Sequence, residues 1–342
     1  MEYLYDFLLF FAKAIIVVVA LMAIAGYAAS ARMQRHYGHR KGHLEVSRLN
    51  AEFDDFESTL RMAAGAVSQK GMKQAKKQRK RDEKQKDKAR SENTEPRRRM
   101  FVIDFDGDIA ASRVGKLRRE ITALLTGLTE EDEVVVRVES TGGTVHGYGL
   151  AASQLKRVRD SGAKLVIAVD KVAASGGYLM ASVATHLIAA PFAVLGSIGV
   201  VVEMPNLNRL LKKHDVDYEV ITAGKHKRTL TLFGENKPEH RRKVQQEIDD
   251  VHALFGQFLT ENRPQVPLEE VATGETWFGT RALDLKLVDE LVTSDEYLLR
   301  ARAEADIFEV KWVDDRTPMA RLMEQFGQAA AQFMSRFNAS RH

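Results

Sequence analysis

From residue 100 onward the sequence predicts an α/β domain built on buried parallel strands. Three observations predict it. The runs MFVIDFDG (100–107), EVVVRVES (133–140) and AKLVIAVD (163–170) are too continuously apolar for strands with one wet face. The stretches between them, 113–126 and 144–160, read as helices that cross from one strand to the next. Two of the junctions carry paired glycines, Thr141-Gly142-Gly143 and Ser175-Gly176-Gly177.

Taken in order, the chain opens on FLLFFAKAIIVVVALMAIAGYAASA (7–31), apolar except for Lys13. About 25 helical residues rise roughly 37 Å, enough for a hydrocarbon core of about 30 Å. Residues 1–31 are therefore expected to form an uncleaved transmembrane anchor. Ala29-Ser30-Ala31 resembles a cleavage site, but the leading segment is acidic (Glu2, Asp6) and the apolar run is long for a signal peptide. Arg32, Arg35, His36, His39, Arg40 and Lys41 follow at once. This basic cluster favours a cytoplasmic position for the rest of the chain, with the periplasmic side as the alternative.

Residues 32–99 are expected to link anchor and domain. Within them 44–66 read as a polar helix with Leu49, Phe53, Phe56 and Leu60 at helical spacing. Lys70 to Arg99 has no apolar face and reads as a solvated, charged tether, with attraction to anionic lipid as the second reading. Nucleic acid is not expected, because no aromatic residues interleave with the charges.

After the third long strand, VAASGGYLMAS begins a helix and HLIAAP (186–191) is short and extended. The run 186–204 is apolar enough to suggest a second span. Pro191, Gly196, Ser197 and Gly199 interrupt it, so it reads as buried strand and loop. Residues 205–214 predict a helix and YEVITA (218–223) a strand. A long helix is expected from near Asn236, with Pro238 in its first turn, to a stop before Pro264. Residues 100–313 thus form the expected catalytic domain. Beyond it, 314–342 carry Met319, Leu322, Met323, Phe326, Phe333 and Phe337 at helical spacing, an amphipathic helix expected to pack on a partner subunit or domain, with a membrane-surface helix as the alternative.

Composition narrows the chemistry. The 342 residues include no cysteine, which excludes disulfides, thiolate metal sites and cysteine nucleophiles. Lys and Arg number 51 against 47 Asp and Glu, so the basic runs reflect uneven placement more than net charge. No metal or cofactor is expected.

A serine at a strand-to-helix junction, with glycines beside it, has what acyl transfer needs: a hydroxyl nucleophile and backbone N–H groups aimed at a developing oxyanion. Ser175 is that candidate. Its bland reading is a helix cap. The G-x-S-x-G elbow is incomplete, because Ala173 stands at the first glycine position. The histidines form no recognisable triad pattern, which leaves a lysine as base, provided it is held neutral. The basic segment Ala223 to Arg228 offers Lys225 and Lys227, and is otherwise an anion-binding or solvated loop.

The ordered set Thr-Gly-Gly, Ala174-Ser175-Gly176-Gly177-Tyr178, Gly196-Ser197-Ile198-Gly199-Val200, and Ala223-Gly224-Lys225-His226-Lys227 resembles the signal peptide peptidase (protease IV) family of serine peptidases. The later Thr276-Trp277-Phe278-Gly279-Thr280-Arg281-Ala282-Leu283 and Leu287-Val288-Asp289 look like that family's closing motif, and anchor plus tether look like its SohB-like branch. The resemblance implies a Clp protease/crotonase-like domain and a Ser-Lys dyad. It implies Ser175 as nucleophile, Lys227 in preference to Lys225 as base, and Ser197 as the residue orienting the lysine. It places Gly142 or Gly143, with Gly176, in the oxyanion hole. Thr141 stands where the family often has proline, which leaves that loop less rigid. Expected partners are hydrophobic or membrane-associated peptide substrates such as signal-peptide remnants, the bilayer through residues 7–31, and further copies in a ring-like homo-oligomer. The setting implied is a bacterial inner membrane. Two competing readings share the fold: a catalytically silent tethered scaffold, and a crotonase-type acyl-CoA enzyme using the same glycine N–H groups.

Overall fold

The computed structural model describes residues 42–65, 97–224 and 226–315. The expected anchor (1–31), most of the charged tether, Lys225 and nearly all of the C-terminal helix (314–342) lie outside those residues. Among the described residues no helix is long and apolar enough to cross a membrane. The chain divides into two compact units, one spanning Glu45–Lys311, the other joining Met1–Leu44 with Trp312–His342. Of the second, only residues 42–44 and 312–315 are described.

The described residues form a mostly parallel α/β sheet, whose first and last strands each cross a boundary between the units. Its strands are β1 (Gly42–Arg48), β2 (Arg98–Gly107), β3 (Glu133–Ser140), β4 (Lys164–Val169), β5 (Val172–Ala174), β6 (His186–Ala189), β7 (Val194–Gly196), β8 (Thr276–Phe278), β9 (Glu290–Leu291) and β10 (Ala305–Asp314). The helices are α1 (Leu49–Ala63), α2 (Val114–Leu125), α3 (Val145–Asp160), α4 (Gly176–Ala181), α5 (Asn208–Lys213), α6 (Pro238–Asn262), α7 (Leu268–Val271), α8 (Gly279–Asp284) and α9 (Ser294–Ala301). The main path of the sheet runs β1-β10-β2-β3-β4-β6-β9, with β5, β7 and β8 branching from β3.

That branch creates the site. Residues 133–137 of β3 pair with β4, but Ser140 at its end pairs with Ala173 of β5. The chain has by then turned at Asp170-Lys171, so β3 serves two neighbours in succession. β5 then pairs in parallel with β7, and β7 antiparallel with β8. The glycine-bearing junctions after β3 and β5 are thereby brought side by side at the carboxyl ends of parallel strands, where open α/β sheets bind ligands.

Alternation along each strand sends residues to opposite faces. One face buries Met100, Val102, Val135, Val166, Ile188 and Ile307, with Leu49 and Phe53 of α1 and Tyr297 of α9 against it. Val134, Val136, Leu165 and Ile167 are also fully buried, as are Leu117, Tyr148, Ala151 and Leu155 on the crossover helices. The central strands β2, β3 and β4 are thus covered on both faces, which accounts for their unbroken apolar sequences.

Two stretches depart from the sequence reading. The expected helix 44–66 begins only at Leu49, because Gly42–Arg48 is a strand at the edge of the sheet. Asn50 fixes the change of direction: its amide donates to Ala305 O (3.0 Å) and its carbonyl accepts from Ile307 N–H (2.7 Å). A helical side chain so occupies the place of a ladder residue beside β10. YEVITA (218–223) forms no strand and is exposed throughout. A β-prone segment without a neighbouring strand edge has nowhere to place its backbone hydrogen bonds.

The Leu287-Val288-Asp289 turn has a clear structural duty. Arg263, just after α6, is fully buried and grips Asp289 with both ends of its guanidinium (2.7 and 3.1 Å) while donating to Lys286 O (3.1 Å). Asp289 also accepts from Leu187 N–H (2.7 Å). Burial alone would raise the Asp289 carboxyl, but Arg263 and that N–H outweigh it and hold it below the ordinary carboxylate range. Removing one partner leaves a buried charge alone, so Arg263→Ala is expected to cost about 3 kcal/mol in urea unfolding at pH 7. A depressed folded value means the stabilisation is full above about pH 4 and drains as pH falls through the folded value. The gap between wild type and variant should therefore narrow at pH 3.

Candidate active site

Ser175 lies between β5 and α4 with φ 51° and ψ −119°. Few residues other than glycine sit there, and such strain at a strand-to-helix turn is how a nucleophile elbow presents its side chain. The elbow therefore exists although Ala173 replaces its first glycine. The turn is held by continuation of the β5–β7 ladder, Ser175 N–H to Gly196 O (2.8 Å), and by Leu179 N–H to Ser175 O (2.9 Å). Behind it, fully buried Tyr178 donates its hydroxyl to Leu287 O (2.9 Å), pinning α4 to the closing motif.

Gly142 faces the elbow directly. With φ 90°, a Cβ there would stand 2.8 Å from Ala174 O, Gly176 N and Ser175 Cβ. Its N–H is taken by Ser140 Oγ (3.1 Å). Among the described residues nothing accepts from the N–H groups of Gly143 and Gly176. These two unpartnered donors flank the Ser175 turn, one on each junction. Gly142→Ala is accordingly expected to remove at least about 100-fold of kcat by pushing the two junctions apart, while far-ultraviolet circular dichroism stays native.

Ser197 follows Gly196, the residue that holds Ser175 N–H. Its own N–H donates to Glu275 O (2.6 Å), its φ is 51°, and its side chain is half-buried. Trp277 on β8 lies over Gly196, where a Cβ would come within 2.6 Å of the indole. The first half of the closing motif thus covers the strand leading to Ser197.

The structure brings Ser175, Gly142, Gly143, Gly176 and Ser197 to one end of the sheet. It does not join Lys227 to them. Lys227 is exposed on a loop, its N–H bonded to Gly224 O (3.1 Å), and among the described residues no hydrogen bond or ion pair links it to Ser175 or Ser197. The exposed position is that of the alternative reading of this segment, a solvated loop, and it departs from the neutral base that the resemblance implies. The flanking 218–223 form no strand, and among the described residues nothing buries the lysine. The arm that carries it, from about 201 to 236, is closed on itself by Asn206 to Thr231 O (2.9 Å) and Asn208 to Phe233 O (2.8 Å). It leaves Val201, Val202, Leu210, Val216, Tyr218 and Ile221 in solvent.

Sequence reasoning passed over Tyr148 and the separate part played by Ser140. Tyr148 sits in the apolar stripe of α3 and looks like core. Only its polar end, deep beneath the glycines, could have signalled more.

A strained serine beside two open N–H donors on a branched parallel sheet is an arrangement that can support acyl transfer. Residues 2–155 match the family described as Peptidase family S49 N-terminal, and residues 157–307 match Peptidase family S49. The chain belongs to peptidase family S49. It is 42% identical over 339 residues to the probable protease SohB of Haemophilus influenzae, covering 96% of this chain and 95% of that protein. It is 41% identical over 307 residues to the probable protease SohB of Buchnera aphidicola subsp. Schlechtendalia chinensis, covering 87% and 99%. A putative protease of Synechocystis, slr0021, is 32% identical over 240 residues, covering 67% and 83%. Within the family the chain falls in the SohB branch, and it is a peptidase.

Proposed function

We propose that the chain is a membrane-anchored serine endopeptidase that cuts hydrophobic or membrane-associated peptides through a Ser175–Lys227 dyad. The observation that carries the reading is the pair of unpartnered N–H groups, Gly143 and Gly176, beside the strained Ser175. In the first step neutral Lys227 takes the Ser175 proton as Oγ attacks the scissile carbonyl, and the oxyanion forms between the two N–H groups. One such donor is worth about 3 kcal/mol of barrier. Lysinium then protonates the leaving amine. In the second step Lys227 takes a proton from water as it adds to the ester carbonyl, the bond to Oγ breaks, and Lys227 returns the proton to Ser175. Ser197 orients the lysine.

An apolar substrate is supported by Ile109 and Val145, 76% and 50% exposed on either side of the Gly142-Gly143 turn. Ile109 O lies against Gly143 and accepts Thr144 N–H (2.8 Å), so Ile109 belongs to the rim of the cleft. A ring-like homo-oligomer is supported by the exposed apolar arm: covering it against a second copy removes the arm from water and draws Lys227 toward Ser175. Residues 7–31 supply the anchor, 32–99 the linker, 100–313 the catalytic domain and 314–342 a packing helix. The basic residues after residue 31 favour a cytoplasmic catalytic domain.

The test is mass spectrometry of the full-length, detergent-solubilised protein after treatment with a fluorophosphonate. A single adduct on Ser175, absent in Lys227→Ala, is the expected result. Absence of any adduct, together with uncut peptides, would sink the peptidase reading of this site in favour of the scaffold or thioester readings.

A further inference from the structure

We infer that Tyr148, acting through Ser140, is the positioning residue that sets both oxyanion-binding N–H groups of this site, and that residue 107 is glycine to make room for the pair. The inference rests on the acyl-transfer reading above and extends it to residues that touch no substrate.

Two hydroxyl protons serve two carbonyl acceptors, Asp108 O (2.8 Å from Tyr148 Oη) and Gly107 O (3.3 Å from Ser140 Oγ), and the distances favour one arrangement. The Tyr148 hydroxyl has one, and donates it to Asp108 O (2.8 Å). Ser140 Oγ, 2.5 Å from Tyr148 Oη and 3.3 Å from Gly107 O, then gives its one proton to the nearer oxygen, that of the tyrosine. That leaves its lone pairs for Gly142 N–H (3.1 Å). The result is one polarised chain: Gly142 N–H to Ser140 O–H to Tyr148 O–H to Asp108 carbonyl. Each link aligns the next. Tying up the Gly142 N–H fixes the peptide plane on its far side, so that the following N–H, Gly143, is the one left open.

The same tyrosine reaches the second donor through its ring. A Cβ on Gly176 would stand 2.4 Å from Tyr148 Cγ, so the Gly176 backbone rests on the ring. The Asp108 end of the chain continues into Ile109, whose carbonyl bounds Gly143. One fully buried side chain therefore touches the supports of both N–H groups, which lie on separate loops after separate strands. Gly107 confirms how tightly the pair is built in, since a Cβ there would lie 2.5 Å from Tyr148 Oη and 2.6 Å from Ser140 Oγ. Burial raises the Tyr148 phenol above its ordinary value, and the charges of Asp108 and Asp106 add to that against the opposing Ser140 bond. It remains a donor throughout the range in which a peptidase works.

The experiment uses full-length wild type, Tyr148→Phe, Ser140→Ala and the double variant, with a fluorogenic hydrophobic peptide as substrate. A peptide aldehyde serves as a probe that adds to the nucleophile and places an oxyanion in the hole. Each single variant is expected to lose about tenfold to 100-fold in kcat with KM within about twofold. The aldehyde inhibition constant should weaken by the same factor as kcat. The double variant should be little worse than the worse single, because both break one chain. Tyr148→Phe keeps the ring under Gly176, and Ser140→Ala removes only an oxygen, so either folded variant suffices. Unchanged kcat and aldehyde affinity in a folded variant would overturn the inference, as would a loss confined to KM or thermal stability. Failure of wild type itself to take a fluorophosphonate would instead remove the acyl-transfer reading beneath it.

Discussion

Ser175→Ala is expected to lower peptide turnover by at least about 10⁴-fold, with the melting temperature within a few degrees of wild type. Alanine keeps a Cβ at the same strained φ and ψ, so backbone and packing change little. What is lost is the atom that forms the covalent bond. Groups that act as a unit in covalent catalysis fall together on loss of one member, by about 10⁴ to 10⁶ in serine peptidases. The residual rate belongs to substrate binding and the N–H pair. Initial-rate assays at saturating peptide check it, and a variant within tenfold of wild type would place the nucleophile elsewhere.

Lys227→Ala is expected to cost about as much, because the hydroxyl and its base share one proton transfer. The control is Lys225→Ala, expected to stay within a few-fold. Both remove one positive charge from the same loop, so general electrostatics cannot separate them, and only the proton acceptor can. Equal losses in the two variants would point to an anion-binding loop and away from a dyad. A third arm connects chemistry to assembly. Ile221→Asp places a charge on the most exposed apolar residue of the arm, 95% accessible in the isolated chain. It is expected to reduce oligomer size in light scattering and activity together, with Ser175, Gly143 and Gly176 untouched.

The long strands were legible because both of their faces are covered, and double burial writes itself as an unbroken apolar run. The paired glycines were legible for a related reason: two loops approach within the space of one Cβ, which no other residue allows. β1 and β10 were not legible. They pair across a large sequence separation at a sheet edge, where one face stays polar and local pattern carries little. YEVITA misled because strand propensity describes a residue's fit to a sheet, and no sheet edge reaches residues 218–223. The elbow at Ser175 was hidden in the same way. Its usual signature is a glycine two residues earlier, but the turn is enforced here by the β5–β7 ladder. Tyr148 was hidden by its own burial, since an aromatic ring on an apolar helix face gives no sign of what its hydroxyl holds. The placement of Lys227, exposed on an arm that forms no strand, is set by the lack of a neighbouring sheet edge among the described residues, which local sequence does not encode.

The geometry of Ser175 also bears on how such a protein can change over generations. A non-glycine residue at φ 51° and ψ −119° holds about 1 to 3 kcal/mol of backbone strain, which glycine would release. At this one position the most stable residue and the proposed nucleophile differ. Substitution to glycine would therefore meet no resistance from folding and would be opposed only by the need for activity. A lineage released from that need would drift toward a sturdier, inert descendant through a single codon.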